Sequence, residues 1–160
     1  MMLGLPPFTF AHVILSLAGI ASGLVVVAGM LAGRGLDGWT SLFLVTTVLT
    51  SVTGFGFPFF QFLPSHALGI ISLVVLAPAI FGRYARHLAG RWRAIYVVGA
   101  VVALYLNVFV LIVQAFRRVP ALNALAPTQS EPPFIVAQLI ALVLFAVLGI
   151  QAVKRYKTTP

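Results

Sequence analysis

Two histidines, His12 and His66, are the residues of this sequence best suited to chemistry at a cofactor. Each lies near the beginning of a long apolar segment, and both are expected at the same end of a helix bundle. Imidazole nitrogens ligate haem iron, and a histidine in an aromatic pocket also suits a quinone. The pair therefore predicts a b-type haem site or a quinone pocket. Copper is a weaker alternative, because neither methionine nor an acidic residue lies nearby to complete a site.

The predicted pocket around the two histidines is rich in phenylalanine. Nine of the thirteen phenylalanines are expected at this end of the bundle: Phe8, Phe10, Phe55, Phe57, Phe59, Phe60, Phe62, Phe116 and Phe134. Gln61 and Gln114, together with Phe57 and Phe60, are predicted to line the pocket. A plainer interpretation stays open, in which histidines near a membrane surface contact water and phenylalanines there contact lipid.

The sequence lacks the residues that most other kinds of catalysis and metal binding require. Cysteine is absent, which excludes disulfides and thiolate catalysis, and the acidic residues are Asp37 and Glu131 alone. Paired carboxylates for acid–base catalysis or for a calcium site are therefore not expected. We predict no catalytic residues and no metal-ligand set, so an enzyme is the less favoured interpretation.

The composition requires a membrane. Of the 160 residues, 61% are hydrophobic and 8% are charged, whereas a soluble domain has about 25% charged residues. A helix needs about 20 apolar residues to cross a bilayer. The sequence therefore predicts a single integral membrane domain over residues 1–160, an all-α bundle of five transmembrane helices. These helices are predicted at about 8–33, 40–62, 66–83, 93–117 and 133–153.

Positive charge predicts the orientation of the bundle. Eight of the ten lysines and arginines fall on one side: Arg34, Arg83, Arg86, Arg91, Arg93, Lys154, Arg155 and Lys157. Arg117 and Arg118 fall on the other side. Because cytoplasmic loops are enriched in lysine and arginine, we predict a cytoplasmic C-terminus and an external N-terminus. The net charge of +8 is then explained by membrane topology, and no nucleic-acid partner is expected.

Polar side chains inside the helices are expected to hold the bundle together, because lipid provides no hydrophobic drive between helices. Thr50, Asn107 and Gln138 are the predicted structural polar residues. The fourth helix is expected to turn one face inward: Tyr96, Ala100, Ala103, Asn107 and Gln114. Asn107 is expected to bond a threonine of the second helix, from the stripe Thr46, Thr50 and Thr53.

Glycine and proline mark two further features. Gly19-x-x-x-Gly23 and Gly29-x-x-x-Gly33 predict close helix packing, inside one bundle or, alternatively, between two copies of the chain. Residues 54–58 predict a bend or partial unwinding in the second helix, because Pro58 lacks an amide donor and the glycines loosen the turn before it.

Both acidic residues have a predicted local role. Asp37 or Thr40 is expected to cap the beginning of the second helix. Glu131 is expected to pair with one of the two arginines that end the fourth helix. It lies in the segment Val119–Phe134, whose four prolines predict an ordered lid over the phenylalanine-rich layer.

Four segments resemble a group of small bacterial inner-membrane proteins of uncharacterised function. They are Asp37-Gly-Trp-Thr, Thr50-Ser-Val-Thr-Gly-Phe55, Asn107-Val-Phe-Val-Leu-Ile-Val-Gln-Ala-Phe116 and Ala126-Pro-Thr-Gln-Ser-Glu-Pro-Pro-Phe134. The resemblance runs over most of the chain. It implies a bacterial inner membrane as the location, and it implies no activity.

Three classes of function are predicted. The first is a non-enzymatic accessory or binding component with an apolar pocket near the outer leaflet. The second is a redox protein that binds haem b or a quinone through His12 and His66. The third is a small oligomeric transporter or channel, favoured by the unwound second helix and the threonine–asparagine stripe. The expected partners are the lipid bilayer and either a larger membrane complex or further copies of the chain.

Overall fold

Helices make up every regular element of the computed structural model, which describes residues 6–57 and 64–157. The helices are α1 (Pro7–Leu31), α2 (Asp37–Thr53), α3 (Pro64–Tyr84), α4 (Arg91–Arg118), α5 (Pro120–Leu125) and α6 (Pro132–Arg155), with a 3₁₀ turn at Gly54–Gly56. Five of these described helices, all except α5, are long and apolar enough to cross a membrane, α2 together with its 3₁₀ turn. The predicted all-α bundle with five candidate spans is confirmed.

The end of α2 differs from the prediction. The sequence predicted a helix to residue 62, but α2 ends at Thr53, and the backbone of Phe57 is extended, with φ −76° and ψ 151°. Glycine favours helix poorly, and Pro58 disfavours the α conformation in the residue before it. The predicted unwinding is confirmed and begins at Gly54. Residues 58–62 of the predicted helix lie outside the described residues.

The beginning of α2 also corrects an expectation. The helix begins at Asp37 without a side-chain cap, so neither Asp37 nor Thr40 has the predicted capping role. The Asp37 carboxylate instead forms an ion pair with Arg83 of α3. Thr40 is buried and accepts a hydrogen bond from the Tyr96 hydroxyl of α4, at 3.4 Å. Both side chains therefore join helices rather than terminate one.

α4 is the central helix and packs against α1, α2, α3 and α6. Its inward residues are almost inaccessible: Tyr96, Val97, Ala100, Ala103 and Leu104. The predicted inward face is confirmed as far as Asn107, but Gln114 is exposed. Gln114 lies in the last two turns of α4, where Phe116 is the one buried residue of this helix. The inward face of α4 therefore ends before Gln114.

The first predicted glycine pair is used inside the chain, but the second is not a helix-packing pair, because Gly33 follows the end of α1 with φ +71°. A Cβ atom at Gly23 would lie 2.7 Å from Leu104 Cδ1 and 2.8 Å from Phe43 Cε2, which is closer than carbon atoms approach without repulsion. At Gly29 it would lie 2.7 Å from Leu36 Cδ1. Gly23 thus allows α1 to lie close to α2 and α4, as small residues do in membrane helices, and Gly29 makes room for the connection between α1 and α2.

Asn107 has the predicted kind of partner. Its side chain is buried, and its Nδ2 atom lies 3.4 Å from Thr47 Oγ1 of α2. The threonine comes from the second helix, as expected, but it is Thr47 and not a member of the predicted stripe. Thr46 and Thr53 donate their hydroxyl protons to carbonyls of their own helix, at 2.7 Å in each case. Thr50 is buried, and its Oγ1 atom has no hydrogen-bond partner within the described residues.

Gln138 of α6 faces inward, as predicted. Its Nε2 atom donates to the carbonyl of Phe109 in α4, at 3.3 Å. A second polar contact joins α2 to α3, where the Ser51 hydroxyl donates to Ser72 Oγ at 3.1 Å. Each interhelical bond satisfies a polar group that would otherwise contact hydrocarbon.

The segment between α4 and α6 is folded against the end of α4 and contains the unpredicted helix α5. Asn123 Nδ2 donates to the carbonyl of Phe116 at 3.2 Å, and Gln129 Nε2 donates to the carbonyl of Val113 at 2.8 Å. Ala126 is fully buried. An ordered segment was predicted, and these bonds show how the end of α4 holds it.

Glu131 does not pair with an arginine, so this prediction is wrong. Its Oε1 atom accepts hydrogen bonds from the amide and the hydroxyl of Thr128, at 3.1 and 2.8 Å, and Oε2 accepts from the Ser130 amide at 3.1 Å. Fixed amides nearby satisfy the carboxylate at a lower entropy cost than a long arginine side chain. Although desolvation acts in the opposite direction, these bonds hold the pKa of Glu131 below its usual range.

The turn at Glu131 is expected to loosen in acid. A group whose pKa is lowered by folding stabilises the fold fully above its unfolded pKa, about 4.3 for glutamate, and this stabilisation is lost as the pH falls through the folded pKa. We expect the Thr128 and Ser130 amides to lose protection from hydrogen exchange in this acidic range. Glu131→Gln should weaken the same protection at neutral pH. Exchange measured by mass spectrometry, corrected for intrinsic rates, contradicts the prediction if protection is equal at pH 6 and pH 3.

Candidate functional site

The candidate site lies where α1 and α3 begin and α2 and α4 end; we call this the aromatic end of the bundle. The other end, where α1, α3 and α6 end and α2 and α4 begin, carries most of the charge, and we call it the basic end. At the aromatic end, His12 is held by the last residue of α2, since its Nδ1 atom lies 2.8 Å from Thr53 Oγ1.

His12 packs against one end of an aromatic pair formed by Phe57 and Phe8. Its imidazole contacts the edge of Phe57, with ring centroids 5.1 Å apart, and Phe57 contacts Phe8 at 5.2 Å. Phe8 in turn packs directly on Gly56, where a Cβ atom would lie 2.6 Å from Phe8 Cζ. The unwound segment is therefore not loose, because glycine at this position lets α1 cover it.

The hydrogen bonds of Thr53 fix the tautomer of His12. The Thr53 hydroxyl lies 2.7 Å from the carbonyl of Leu49 and 3.2 Å from that of Thr50. Carbonyl oxygens only accept, so the single hydroxyl proton is donated to the helix backbone. His12 Nδ1 must then carry a proton and donate it to Thr53 Oγ1. In the neutral imidazole this leaves a lone pair on Nε2, which is available to a ligand.

His66 lies on the other side of the same segment. It is 1% exposed and stacks on Phe55, with centroids 5.8 Å apart and ring planes at 17°. Phe55 also covers Gly69 of α3, where a Cβ atom would lie 3.3 Å from the ring. The two predicted histidines thus contact one four-residue segment, His12 through Phe57 and His66 through Phe55.

The remaining predicted pocket residues do not join this cluster. Gln61 and Phe60 lie outside the described residues, as do Phe59 and Phe62. Gln114 is exposed on α4, and no hydrogen bond within the described residues links it to either histidine. Phe116 packs against Phe134 at 5.4 Å, which joins α4 to α6. The structure places His12, His66, Phe8 and Phe57 together around the segment 54–57, and a ligand pocket there stays a prediction.

Comparisons with protein-family models, curated proteins and solved structures gave no match. Within the described residues, no group of three histidine, aspartate or glutamate side chains is placed to hold a metal ion.

The sequence did not predict a polar cluster at the basic end. Its centre is Arg83, whose side chain is 8% exposed although its partner Asp37 is 90% exposed. The Arg83 guanidinium lies 5.1 Å from the ring centroid of Tyr96 and 5.7 Å from that of Tyr84. A buried arginine stacked on aromatic rings is a fixed structural element. It links α2, α3 and α4.

Arg93 and Tyr156 complete this cluster. Arg93 donates to the carbonyl of Val153 at 3.0 Å and also to that of Tyr156, which satisfies the end of α6. Tyr156 is 4% exposed and packs against Tyr96 at 6.1 Å. The sequence feature that could have predicted this cluster is Asp37, because it is the single acidic residue on the side that carries eight cations.

Proposed function

We propose that this chain is a non-enzymatic, multi-pass component of a bacterial inner membrane that binds an apolar ring compound at its aromatic end. The N-terminus is external and the C-terminus is cytoplasmic in this proposal. Support for the orientation comes from the eight cations of the basic end against two at the aromatic end. The binding site then lies near the outer leaflet.

The hydrogen bond between His12 Nδ1 and Thr53 Oγ1 is the observation that carries the binding proposal, because it leaves the Nε2 lone pair for a ligand. Thr53 orients this imidazole, Phe57 packs against it, and Phe8 packs against Phe57. Sites for small molecules combine such apolar walls with a few polar groups that fix the orientation. A ligand that matches this site has an apolar ring and a hydroxyl that donates to Nε2, which is the chemistry of a quinol.

Haem b is the second candidate, favoured by the same hydrogen bond. A histidine that ligates a metal generally donates its other ring proton to an oxygen acceptor, and Thr53 Oγ1 is such an acceptor. His66 would be the second ligand. Because His66 is almost inaccessible and stacked on Phe55, ligation there requires Phe55 to move. This requirement ranks the quinol above haem.

A titration of the detergent-purified protein with decylubiquinol tests the proposal. We expect saturable binding that His12→Phe weakens about tenfold, because a hydrogen bond worth about 1.4 kcal/mol is lost while the aromatic volume is kept. Thr53→Val should weaken binding about threefold, since the imidazole loses its orienting partner. Gln114→Ala is the matched control and should leave the affinity unchanged.

An absorption spectrum of the same protein, oxidised and then reduced with dithionite, separates the two candidates. Sharp reduced α and β bands that disappear in His12→Ala and His66→Ala would show that the ligand is haem b and not a quinol. A flat visible spectrum together with His12-dependent quinol binding supports the proposal. A folded protein that shows neither bands nor quinol binding would overturn it.

A further inference from the structure

A shallow depression of about 430 Å³ lies between α2 and α3 at the basic end. Its lining includes Asp37, Ser41, Arg83, Tyr84, His87 and Tyr156. The hydroxyls of Ser41 and Tyr84 lie 3.2 Å apart across it. The lining combines the Arg83 guanidinium, which is paired with Asp37, with several hydroxyl groups, and a phosphate group accepts hydrogen bonds from both kinds of donor.

Exposed cations share the basic end of the bundle with this depression. The exposed cations at the same end are Arg34, Arg86, Arg91, Lys154, Arg155 and Lys157. Two of them adjoin the depression through Tyr156. Lys157 follows this residue, and Arg34 precedes Gly35, where a Cβ atom would lie 3.5 Å from the Tyr156 hydroxyl. Asp37 is the single acid at this end, and Arg83 already neutralises it. An anion at the depression therefore meets a net positive surface.

Apolar surface continues from the depression along both helices. On α2, Val45 lies one turn beyond Ser41 and is 56% exposed, and Leu42 beside it is 45% exposed. On α3, Phe81 lies one turn before Tyr84 and is 49% exposed. The polar depression and these apolar faces adjoin in the way that the headgroup and the acyl chains of a phospholipid do.

We propose that the basic end binds one anionic phospholipid, with its phosphate in the depression and its acyl chains along the exposed faces of α2 and α3. Clusters of lysine and arginine beside a transmembrane helix attract anionic lipid, and the depression adds a defined position for one molecule. This site is independent of the ligand at the aromatic end and of the orientation of the chain in the membrane.

Native mass spectrometry from micelles that contain equal amounts of phosphatidylglycerol and phosphatidylcholine tests the proposal. We expect one retained phosphatidylglycerol per chain, with about tenfold preference over phosphatidylcholine. The double variant Arg34→Gln/Lys157→Gln should lower this retention about tenfold. The control Arg117→Gln/Arg118→Gln removes the same charge at the aromatic end and should not change it. Ser41→Phe fills the depression without changing any charge and should also abolish retention, while the thermal midpoint of each variant verifies folding.

Several results would overturn this site. Equal losses in the two double variants would show diffuse attraction by net charge. Unchanged retention in folded Ser41→Phe would place the lipid elsewhere. Equal retention of the two lipids would remove the role of the headgroup charge. Displacement of the lipid by millimolar glycerol 3-phosphate or inorganic phosphate would assign a free phosphate site in place of a lipid site.

Discussion

Gly99→Ala is expected to lower the free energy of unfolding by about 1–3 kcal/mol, the usual cost of overpacking a core. A Cβ atom at Gly99 would lie 2.8 Å from the Cβ atom of Ala79 and 3.2 Å from the carbonyl oxygen of Val75. Ala79 is fully buried. Neither an alanine methyl nor a backbone carbonyl has a rotamer that relieves the contact, so α3 and α4 must separate. Chemical unfolding in detergent, followed by circular dichroism, measures the loss.

Gly38→Ala is the matched control for this prediction. Gly38 lies in the first turn of α2, and a Cβ atom there would meet nothing within 4 Å. Replacement of a helical glycine by alanine in open space raises stability by about 0.5–1 kcal/mol. The two substitutions are chemically identical and have opposite expected signs. A loss of the same size at both positions would show that the close approach of α3 and α4 is not the cause.

Arg83→Leu is expected to lower the free energy of unfolding by about 2–4 kcal/mol. The substitution removes the charge-assisted bond to Asp37, worth less than about 1 kcal/mol because the Asp37 side chain is 90% exposed. It also removes stacking on Tyr96 and Tyr84, about 0.5–2 kcal/mol for each cation–π contact. Because contributions of contacting groups are not additive, the upper end of the expected range is lower than their sum. Thermal unfolding of the purified variant measures the effect, and Arg91→Leu, an exposed arginine at the same end, should change stability by less than about 0.5 kcal/mol.

Asp37→Asn gives a second control, because the two members of this ion pair differ in exposure. The Asp37 side chain is 90% exposed and Arg83 is 8% exposed. Removal of the exposed partner leaves an arginine that keeps its aromatic contacts, so we expect a loss below about 1 kcal/mol, as for a surface pair. Equal losses in Arg83→Leu and Asp37→Asn would contradict the view that Arg83 acts mainly through its aromatic contacts.

Helix existence and breakpoints could be predicted from this sequence, because both depend on local chemistry. Long apolar runs predicted five spans, and Gly54, Gly56 and Pro58 predicted where α2 unwinds. The need of a buried amide for a partner predicted that Asn107 bonds a threonine of α2. Each inference used a residue type and its immediate neighbours.

The rotation of each helix about its axis was harder to predict. Lipid and protein interior are both apolar, so a membrane helix shows little contrast between its faces. For this reason the sequence did not show that Thr47, and not its neighbour Thr46, contacts Asn107. It also did not show that Gln114 is exposed despite its spacing. The Arg83–Asp37 pair joins residues 46 positions apart, and no local pattern indicates such a pair. The tautomer of His12 likewise required the position of Thr53.

The unequal lengths of the helices have a consequence for the bilayer. The 20 residues of α2 with its 3₁₀ turn and the 28 residues of α4 correspond to about 32 Å and about 42 Å, at about 1.5 Å per residue of α-helix and about 2 Å per residue of 3₁₀ helix. The hydrocarbon core of a bilayer is about 30 Å thick. Hydrophobic mismatch then differs around the circumference of the protein: α2 with its turn matches the hydrocarbon, while α4 must tilt or extend beyond it. The protein is therefore expected to favour a thicker bilayer beside α4 than beside α2.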